Sequence, residues 1–107
     1  MNSLNSILVE GKVESVETQT LPGTEVCNIE LVAERTFKDS SGEEVKEESV
    51  FPIQCYGTLA GMCKTKTLKG KNIRVVGRLA QKKWRDTEGK VHSKVFVVAE
   101  HIEFRGV

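Results

Sequence analysis

The 107-residue sequence lacks carboxylates over one long stretch: residues 49–85 contain 9 basic side chains and no acidic one, although the chain has 15 acidic residues. Residues 1–48 carry a net charge of −7, and residues 86–107 carry −1. The net charge of +1 for the whole chain therefore conceals a strongly basic segment between two acidic ones. Such an asymmetry of sign favours a polyanionic partner.

Targeting and crosslinking signals are also missing. No apolar run approaches the length of a membrane span, and residues 1–6 lack the basic segment and apolar core of a secretory signal. Cys27, Cys55 and Cys63 are odd in number and form no Cys-x-x-Cys pair, which argues against a disulfide framework or a zinc site. Cys27 and Cys55 fall on the apolar sides of strand patterns, as small core residues do, and buried thiols are inert as nucleophiles. We expect a cytoplasmic protein that does not associate with membranes.

Motifs of catalysis are absent as well. Gly70-Lys71 is followed by Asn72 and lacks the upstream glycine of a phosphate-binding loop. His92 and His101 have no neighbouring cysteine or carboxylate cluster at metal-ligand spacing, so we predict that both lie on loop or strand surfaces. The sequence therefore predicts no catalytic residue, no metal and no cofactor, and hence a protein that is not an enzyme.

Alternation of apolar and polar residues with a period of two predicts five strands. They cover residues 5–17, 26–37, 43–56, 70–85 and 91–104. Between the third and fourth strands, residues 57–68 lose this period and fit a short helix that stops at Gly70. Its apolar positions are Leu59, Ala60, Met62, Cys63 and Thr67. Turn sequences lie at 21–24, 39–42 and 86–89.

Three strands, one helix and two strands is the chain order of the OB-fold, a five-stranded Greek-key barrel that binds oligonucleotides through its middle strands and loops. We therefore predict an all-β protein forming a single OB-fold domain over residues 1–107, with one short helix between strands 3 and 4. Gly11 indicates a bend or a close backbone approach, and Pro52 an edge or an interrupted pairing. The apolar run 95–99 predicts burial on both sides, or a change of facing at a bulge.

The fourth predicted strand separates into two faces. Its apolar face consists of Ile73, Val75, Gly77 and Leu79. Its other face consists of Arg74, Val76, Arg78, Lys82 and Trp84, with Lys83 and Arg85 beside them. A row of cations can follow a phosphate backbone, and an indole on the same face can stack on an unpaired base. An edge strand protected by lysines, with a tryptophan at the barrel rim, fits this stretch equally well.

The chain has only six aromatic residues, and three of them lie at strand ends among basic or polar neighbours. These are Phe37, Tyr56 and Trp84. Phe37 taken alone fits a cap on the barrel core equally well. The coincidence of all three favours stacking platforms for bases, which need no catalytic group and tolerate any sequence.

Six segments carry a recognisable pattern: 5–11, 35–38, 55–60, 68–71, 76–79 and 82–89. Through these six segments, which are spread over nearly the whole chain, the sequence resembles the DNA-binding domain of bacterial single-stranded DNA-binding proteins. The resemblance implies an OB-fold that assembles into a homotetramer. It also implies coating of single-stranded DNA without sequence preference in replication, repair and recombination.

The stacking positions of the resembled family fall on Phe37, Tyr56 and Trp84. A further family aromatic falls on Val50, and a histidine of the tetramer contacts falls on Phe51, so a dimer stays open beside the favoured tetramer. We expect phosphate contacts from cations on the strands and hairpins. These are Arg35, Lys38, Arg74, Arg78, Lys82, Lys83 and Arg85.

Family members also carry a tail with an acidic tip that recruits replication and repair proteins. This sequence ends at Val107, directly after the last predicted strand, so it is either a tailless member or a truncated sequence, and recruitment through such a tail is not assumed. That ending and the missing aromatic at Val50 motivate a second hypothesis, an OB-fold accessory subunit that docks onto replication proteins or RNA. A nuclease is a third hypothesis, disfavoured because the basic stretch has no carboxylate to hold a metal.

Overall fold

The computed structural model describes residues 1–66 and 68–105. The elements in chain order are β1 (Ile7–Leu21), β2 (Thr24–Lys38), β3 (Glu44–Tyr56), α1 (Gly57–Thr65), β4 (Asn72–Arg85) and β5 (Val91–Arg105). The strands close into a barrel in the order β1-β2-β3-β5-β4. β3 and β5 run parallel and pair over two residues of each strand, while the other neighbours are antiparallel. The predicted five-stranded barrel with a short helix after its third strand is confirmed.

The core is formed by the inward positions of the strands and by α1. Alternate residues of each strand point into the barrel. Among them are Ile29 and Leu31 of β2, Ile53 of β3 and Ile73 of β4, each at most 1% exposed. Such burial is the main favourable term in folding. Pro52 pairs with Glu30 of β2 in an uninterrupted ladder and lies immediately before the two-residue pairing of β3 with β5, in keeping with the edge position that was one of its two predicted roles.

The three cysteines belong to this core. Cys27 and Cys55 face each other across β2 and β3, and Cys63 of α1 places its Sγ 4.0 Å from the Sγ of Cys55. Burial raises the pKa of the Cys27 thiol to about 11. The prediction that Cys27 and Cys55 are core residues is therefore confirmed.

Both long hairpins are closed by the same turn. In the β2–β3 hairpin, Oδ1 of Asp39 accepts hydrogen bonds from the backbone N–H groups of Ser41 (2.9 Å) and Glu43 (3.0 Å). Gly42 follows in the left-handed region, with φ of +86°, which a residue without a Cβ adopts at little cost. The β4–β5 hairpin repeats this arrangement with Asp86 as the acceptor. An Asp-x-x-Gly sequence therefore sets the position of each tip.

β5 changes its facing at a bulge. Val76 pairs with His101 and Gly77 pairs with Ala99, so Glu100 is an extra residue in β5. Inward positions on β5 are odd-numbered before Glu100 and even-numbered after it. Both alternatives that the sequence left open for the run 95–99 therefore apply: Val97, Val98 and Ala99 are all buried, and the facing changes at the bulge directly after them.

Two element boundaries differ from the prediction by three residues or more. β1 runs to Leu21 rather than ending at residue 17, because residues 18–21 pair with β2 across a two-residue turn at Pro22 and Gly23. α1 ends at Thr65 because Lys66 is extended, with φ of −101° and ψ of 141°. Thr67, assigned to the helix from the sequence, lies outside the described residues. Of the residues that are described, no helix has the length and apolar character to cross a membrane.

Leu79 does not belong to the buried face to which the sequence assigned it. Its side chain is 47% exposed. The pairing of β4 with β1 ends at Gly77, so no strand covers Leu79 from that side. The Asn5 side chain instead bridges to its backbone, donating to the Leu79 carbonyl oxygen at 2.8 Å and accepting from its N–H at 2.9 Å.

Candidate nucleic-acid interface

β4 and β5 continue beyond the barrel wall as a two-stranded hairpin. The β1–β4 ladder ends at Gly77, whereas β4 pairs with β5 as far as Arg85. Arg78, Lys82 and Lys83 are exposed on this hairpin, and within the described residues none of the three forms an ion pair. Their uncompensated charges make this hairpin the part of the surface best suited to bind phosphates.

Arg74 has a different environment on the barrel wall. Its Nη2 lies 2.8 Å from Oε2 of Glu10 on β1, and its Nη1 lies 3.5 Å from Oε2 of Glu103 on β5. Arg105 adds a further contact to Glu10 at 3.3 Å. Neighbouring carboxylates therefore balance the charge that the sequence assigned to phosphate binding at Arg74.

The β2–β3 hairpin is more acidic than basic. Residues 33–48 contain six carboxylates and three cations, and Arg35 pairs with Glu47 at 3.7 Å. Lys38 is exposed near the tip. Attraction for a polyanion is thus concentrated on the β4–β5 hairpin, and the β2–β3 hairpin adds less of it.

The three candidate stacking rings lie outside the core and far apart. Tyr56 and Trp84 are 44% and 43% exposed, and Phe37 is half-buried. Phe37 lies near the tip of the β2–β3 hairpin, whereas Tyr56 pairs with Val26 at its other end. Val26, the partner of Tyr56, and Phe37 are eleven residues apart on β2, which corresponds to about 35 Å along the strand. Rings spread over this distance suit an extended polymer rather than a small ligand.

Phe37 and Tyr56 each contact a side chain two residues earlier on the same strand face. The Arg35 guanidinium lies 4.3 Å from the Phe37 ring centroid. The Tyr56 hydroxyl donates a hydrogen bond to Oε1 of Gln54. These neighbours limit the motion of the two rings.

Trp84 contacts a residue from the opposite strand. Its ring stacks on that of His92, with centroids 5.6 Å apart and an interplanar angle of 20°. The sequence placed His92 only on a surface and missed this contact. The turn sequence at 86–90 was the signal that could have indicated the contact. Trp84 and His92 each lie two residues outside the pair that closes the turn, so they are opposite each other in the hairpin.

A groove of about 560 Å³ crosses the outer faces of β1, β2 and β3. Val50, the position of the missing aromatic, lies in its wall, and Lys94 of β5 lies at its edge. A second groove of about 780 Å³, beside Gly11, is lined by the carboxylates of Glu10, Glu14, Glu34 and Glu48. Both grooves contain more carboxylates than cations, with Glu17 and Glu30 beside Lys94 in the first, so neither groove by itself attracts phosphate.

No group of three or more His, Cys, Asp or Glu side chains in the described part of the chain could hold a metal ion. Hydrogen bonding to Cys63 and burial raise the pKa of the Cys55 thiol, which keeps it protonated and unreactive. The surface features therefore suit binding rather than covalent chemistry.

Comparison with known proteins decides the family. The model of the single-strand binding protein family matches residues 4–105. The chain belongs to this family. Members of the family are non-enzymatic, so the expectation that the chain is not an enzyme is confirmed.

Curated relatives in the family include the single-stranded DNA-binding protein of Aquifex aeolicus, which is 36% identical over 101 residues. That alignment covers 92% of this chain and 68% of the relative. The single-stranded DNA-binding protein of Wolinella succinogenes is 31% identical over 98 residues, covering 91% of this chain and 60% of the relative. The chain thus spans about two thirds of the length of these family members.

Solved structures support the family assignment. A deletion mutant of the single-stranded DNA binding protein from Thermus aquaticus matches with a TM-score of 0.84 and 28% identity, over 94% of this chain and 50% of the other. The Plasmodium falciparum SSB in complex with ssDNA matches with a TM-score of 0.89 over 97% of both chains. At 20% identity, the second match shows the fold alone.

Proposed function

We propose that this chain binds single-stranded DNA without sequence preference, through phosphate neutralisation and base stacking. The observation that carries the proposal is the β4–β5 hairpin, where uncompensated cations and the 43% exposed ring of Trp84 share one projecting element. Curated relatives named for single-stranded DNA binding support this assignment. The chemistry is sequence-independent because phosphates and π-faces are common to all nucleotides.

We assign the phosphate contacts first to Arg78, Lys82, Lys83 and Arg85 on the β4–β5 hairpin. Arg35, Lys38 and Arg74 form a second group, since Arg35 and Arg74 already have carboxylate partners. Bases stack on Phe37, Tyr56 and Trp84. The separation of these rings makes the strand follow an extended path over the outer face of β2 and β3 and along both hairpins.

Fluorescence measures this binding at one site, because Trp84 is the only tryptophan in the chain. We expect oligo-dT to quench its emission at low salt and the affinity to fall steeply as salt rises. Trp84→Ala should weaken binding of a labelled oligo-dT by about 1–3 kcal/mol, and Trp84→Phe by less. Equal affinity for duplex DNA of the same length, or an unchanged affinity of folded Trp84→Ala, would overturn the proposal.

We also propose that copies of the chain associate, with a tetramer favoured and a dimer possible. Leu8 on the outer face of β1 is 68% exposed and lies directly opposite Val76 of β4. Val76 is half-buried on the same outer face of the barrel. Contiguous exposed apolar side chains on a barrel wall are typical of a protein interface.

The biological role that we propose is protection of single strands during replication, repair and recombination in the cytoplasm. The curated relatives of Aquifex aeolicus and Wolinella succinogenes are named for binding single-stranded DNA, the ligand that this role requires. Recruitment of replication proteins or binding of RNA is the competing function. A parallel titration with oligo-rU and with a replication helicase separates the two, because DNA coating requires the tightest binding to oligo-dT.

A further inference from the structure

Trp84 and His92 are direct partners across the β4–β5 hairpin, and their rings stack 5.6 Å apart. Cross-strand side chains on one face lie close enough to pack, so the register of the hairpin itself builds this contact. One face of the indole is therefore covered by the imidazole. The ring is still 43% exposed, which leaves the other face for a ligand.

His92 is itself held in place by the turn. Its Nε2 lies 2.7 Å from Oδ2 of Asp86. The other oxygen of that carboxylate, Oδ1, accepts hydrogen bonds from the N–H groups of Glu88 and Lys90, both at 2.9 Å. The backbone of the turn thus fixes Asp86, Asp86 fixes the imidazole, and the imidazole fixes the orientation of Trp84.

We propose that His92, anchored by Asp86, is a positioning residue that presents a single face of Trp84 to one base of a bound strand. This inference rests on the proposed binding of single-stranded DNA. A ring held in its binding orientation before the ligand arrives loses less conformational freedom on binding. The covered face excludes a second base, so Trp84 ends a stack rather than inserting between two bases.

Phe37 on the other hairpin is held by a comparable neighbour, which supports a positioning role. The guanidinium of Arg35 lies over Phe37 at 4.3 Å and is tied to Glu47 at 3.7 Å. In both hairpins a carboxylate holds a second side chain, and that side chain packs on the ring. Glu47 holds Arg35 against Phe37 in one hairpin. In the other, Asp86 holds His92 against Trp84. Arg35 and Phe37 belong to the same strand, whereas His92 reaches Trp84 from the opposite one.

The test compares variants of position 92 that keep or remove the ring. His92→Ala should weaken binding of labelled oligo-dT by about three- to tenfold, the range of an aromatic pair contact. His92→Gln, which keeps a hydrogen-bond donor for Asp86, should lose as much, and His92→Phe should restore most of the affinity. Without DNA, His92→Ala should increase quenching of Trp84 by acrylamide, because the second face of the indole becomes accessible.

A double-mutant cycle separates positioning from a direct DNA contact. If His92 acts through Trp84, then His92→Ala has little effect in a Trp84→Ala background, and it leaves the salt dependence of binding unchanged. A loss that persists without Trp84, or wild-type affinity of His92→Gln, overturns the inference. Ser93→Ala is the matched control, because Ser93 is exposed on the opposite face of β5.

Stability and wild-type binding complete the design. Circular dichroism should show that all variants fold, with only a small fall in the unfolding midpoint where the hydrogen bond to Asp86 is lost, since His92 lies on the hairpin beyond the barrel core. Should His92→Ala fail to fold, the comparison of His92→Gln with His92→Phe carries the test. Failure of the wild-type protein to bind oligo-dT would refute the proposed function, whereas wild-type binding with no effect of any His92 variant refutes only this inference.

Discussion

Lys82 of β4 and Lys94 of β5 lie directly opposite each other in the ladder, and both are exposed. Like charges in directly opposed positions destabilise a sheet. A phosphate bound between two ammonium groups would remove this repulsion. The pair lies where the hairpin meets the groove over β2 and β3, since Lys94 also lines that groove.

We expect Lys82→Gln to stabilise the free protein and weaken its binding to DNA. Relief of repulsion from Lys94 should raise the free energy of unfolding by a few tenths to about 1 kcal/mol. Loss of one phosphate contact should lower the slope of log affinity against log salt by about 0.7. Thermal denaturation and titrations at several salt concentrations measure the two effects.

Lys12→Gln is the control for this change, because it removes the same charge from the groove rich in carboxylates. It should leave the salt slope nearly unchanged. A slope that falls equally in both variants would mean that net charge, rather than the Lys82–Lys94 pair, governs binding.

Gly11 permits a close backbone contact between β1 and β2. A Cβ at this position would lie 2.2 Å from the carbonyl oxygen of Val32, which is backbone and cannot move aside. We expect Gly11→Ala to lower the free energy of unfolding by about 1–3 kcal/mol, as overpacking does. Denaturation in urea measures the change. Gly61→Ala in α1 should be neutral or stabilising, because its Cβ meets only Oε2 of Glu25 at 3.6 Å and alanine favours the helix.

Asp86 should titrate below its ordinary pKa of 3.8. The hydrogen bond to His92 is the largest cause of the lowered pKa, followed by the N–H of Lys90. A lowered pKa in the folded state means that the stabilisation by Asp86 is complete above pH 3.8 and is lost as the pH falls through the lower folded value. Carboxyl carbon NMR gives the midpoint directly.

His92→Ala should move this midpoint upward, towards 3.8, while that of Asp39, whose lowered pKa comes first from the Ser41 hydroxyl, stays unchanged. An Asp86 midpoint that is the same with and without His92 would contradict the hydrogen bond between them.

The three thiols should resist modification in the folded protein. Cys27, Cys55 and Cys63 are each at most 1% exposed, and burial raises the pKa of Cys27 to about 11. We expect little reaction with Ellman's reagent under native conditions and reaction of all three cysteines in guanidinium chloride. Rapid native labelling of Cys63 would show that α1 opens readily from the barrel.

Leu8→Asp should weaken the proposed association of copies, because it places a charge in the exposed apolar patch of Leu8 and Val76. Sedimentation velocity should show a shift towards smaller species. Met62→Asp, at an exposed apolar position of α1, should leave the distribution unchanged. Equal behaviour of the two variants would place the interface elsewhere.

The sequence by itself determined the strands, the helix, the turns and the concentration of positive charge. These features are local: a period of two is visible within one strand, and Asp39 and Asp86 set their turns through hydrogen bonds to residues two and four positions later. For the same reason Tyr56 and Trp84 were selectable as outward-facing rings. Phe37 has the parity of the buried Ile29 and Leu31, and only its polar and basic neighbours at the strand end indicated it.

The tertiary structure decided which side chains meet. Arg74 is balanced by Glu10, 64 residues away in the chain, and no pattern within β4 indicates that contact. Exposure of Leu79 depends on where β1 stops, and the stack of His92 on Trp84 depends on the register of β4 with β5. Strand pairing sets such contacts across long sequence separations, whereas local alternation determines only which face each residue occupies.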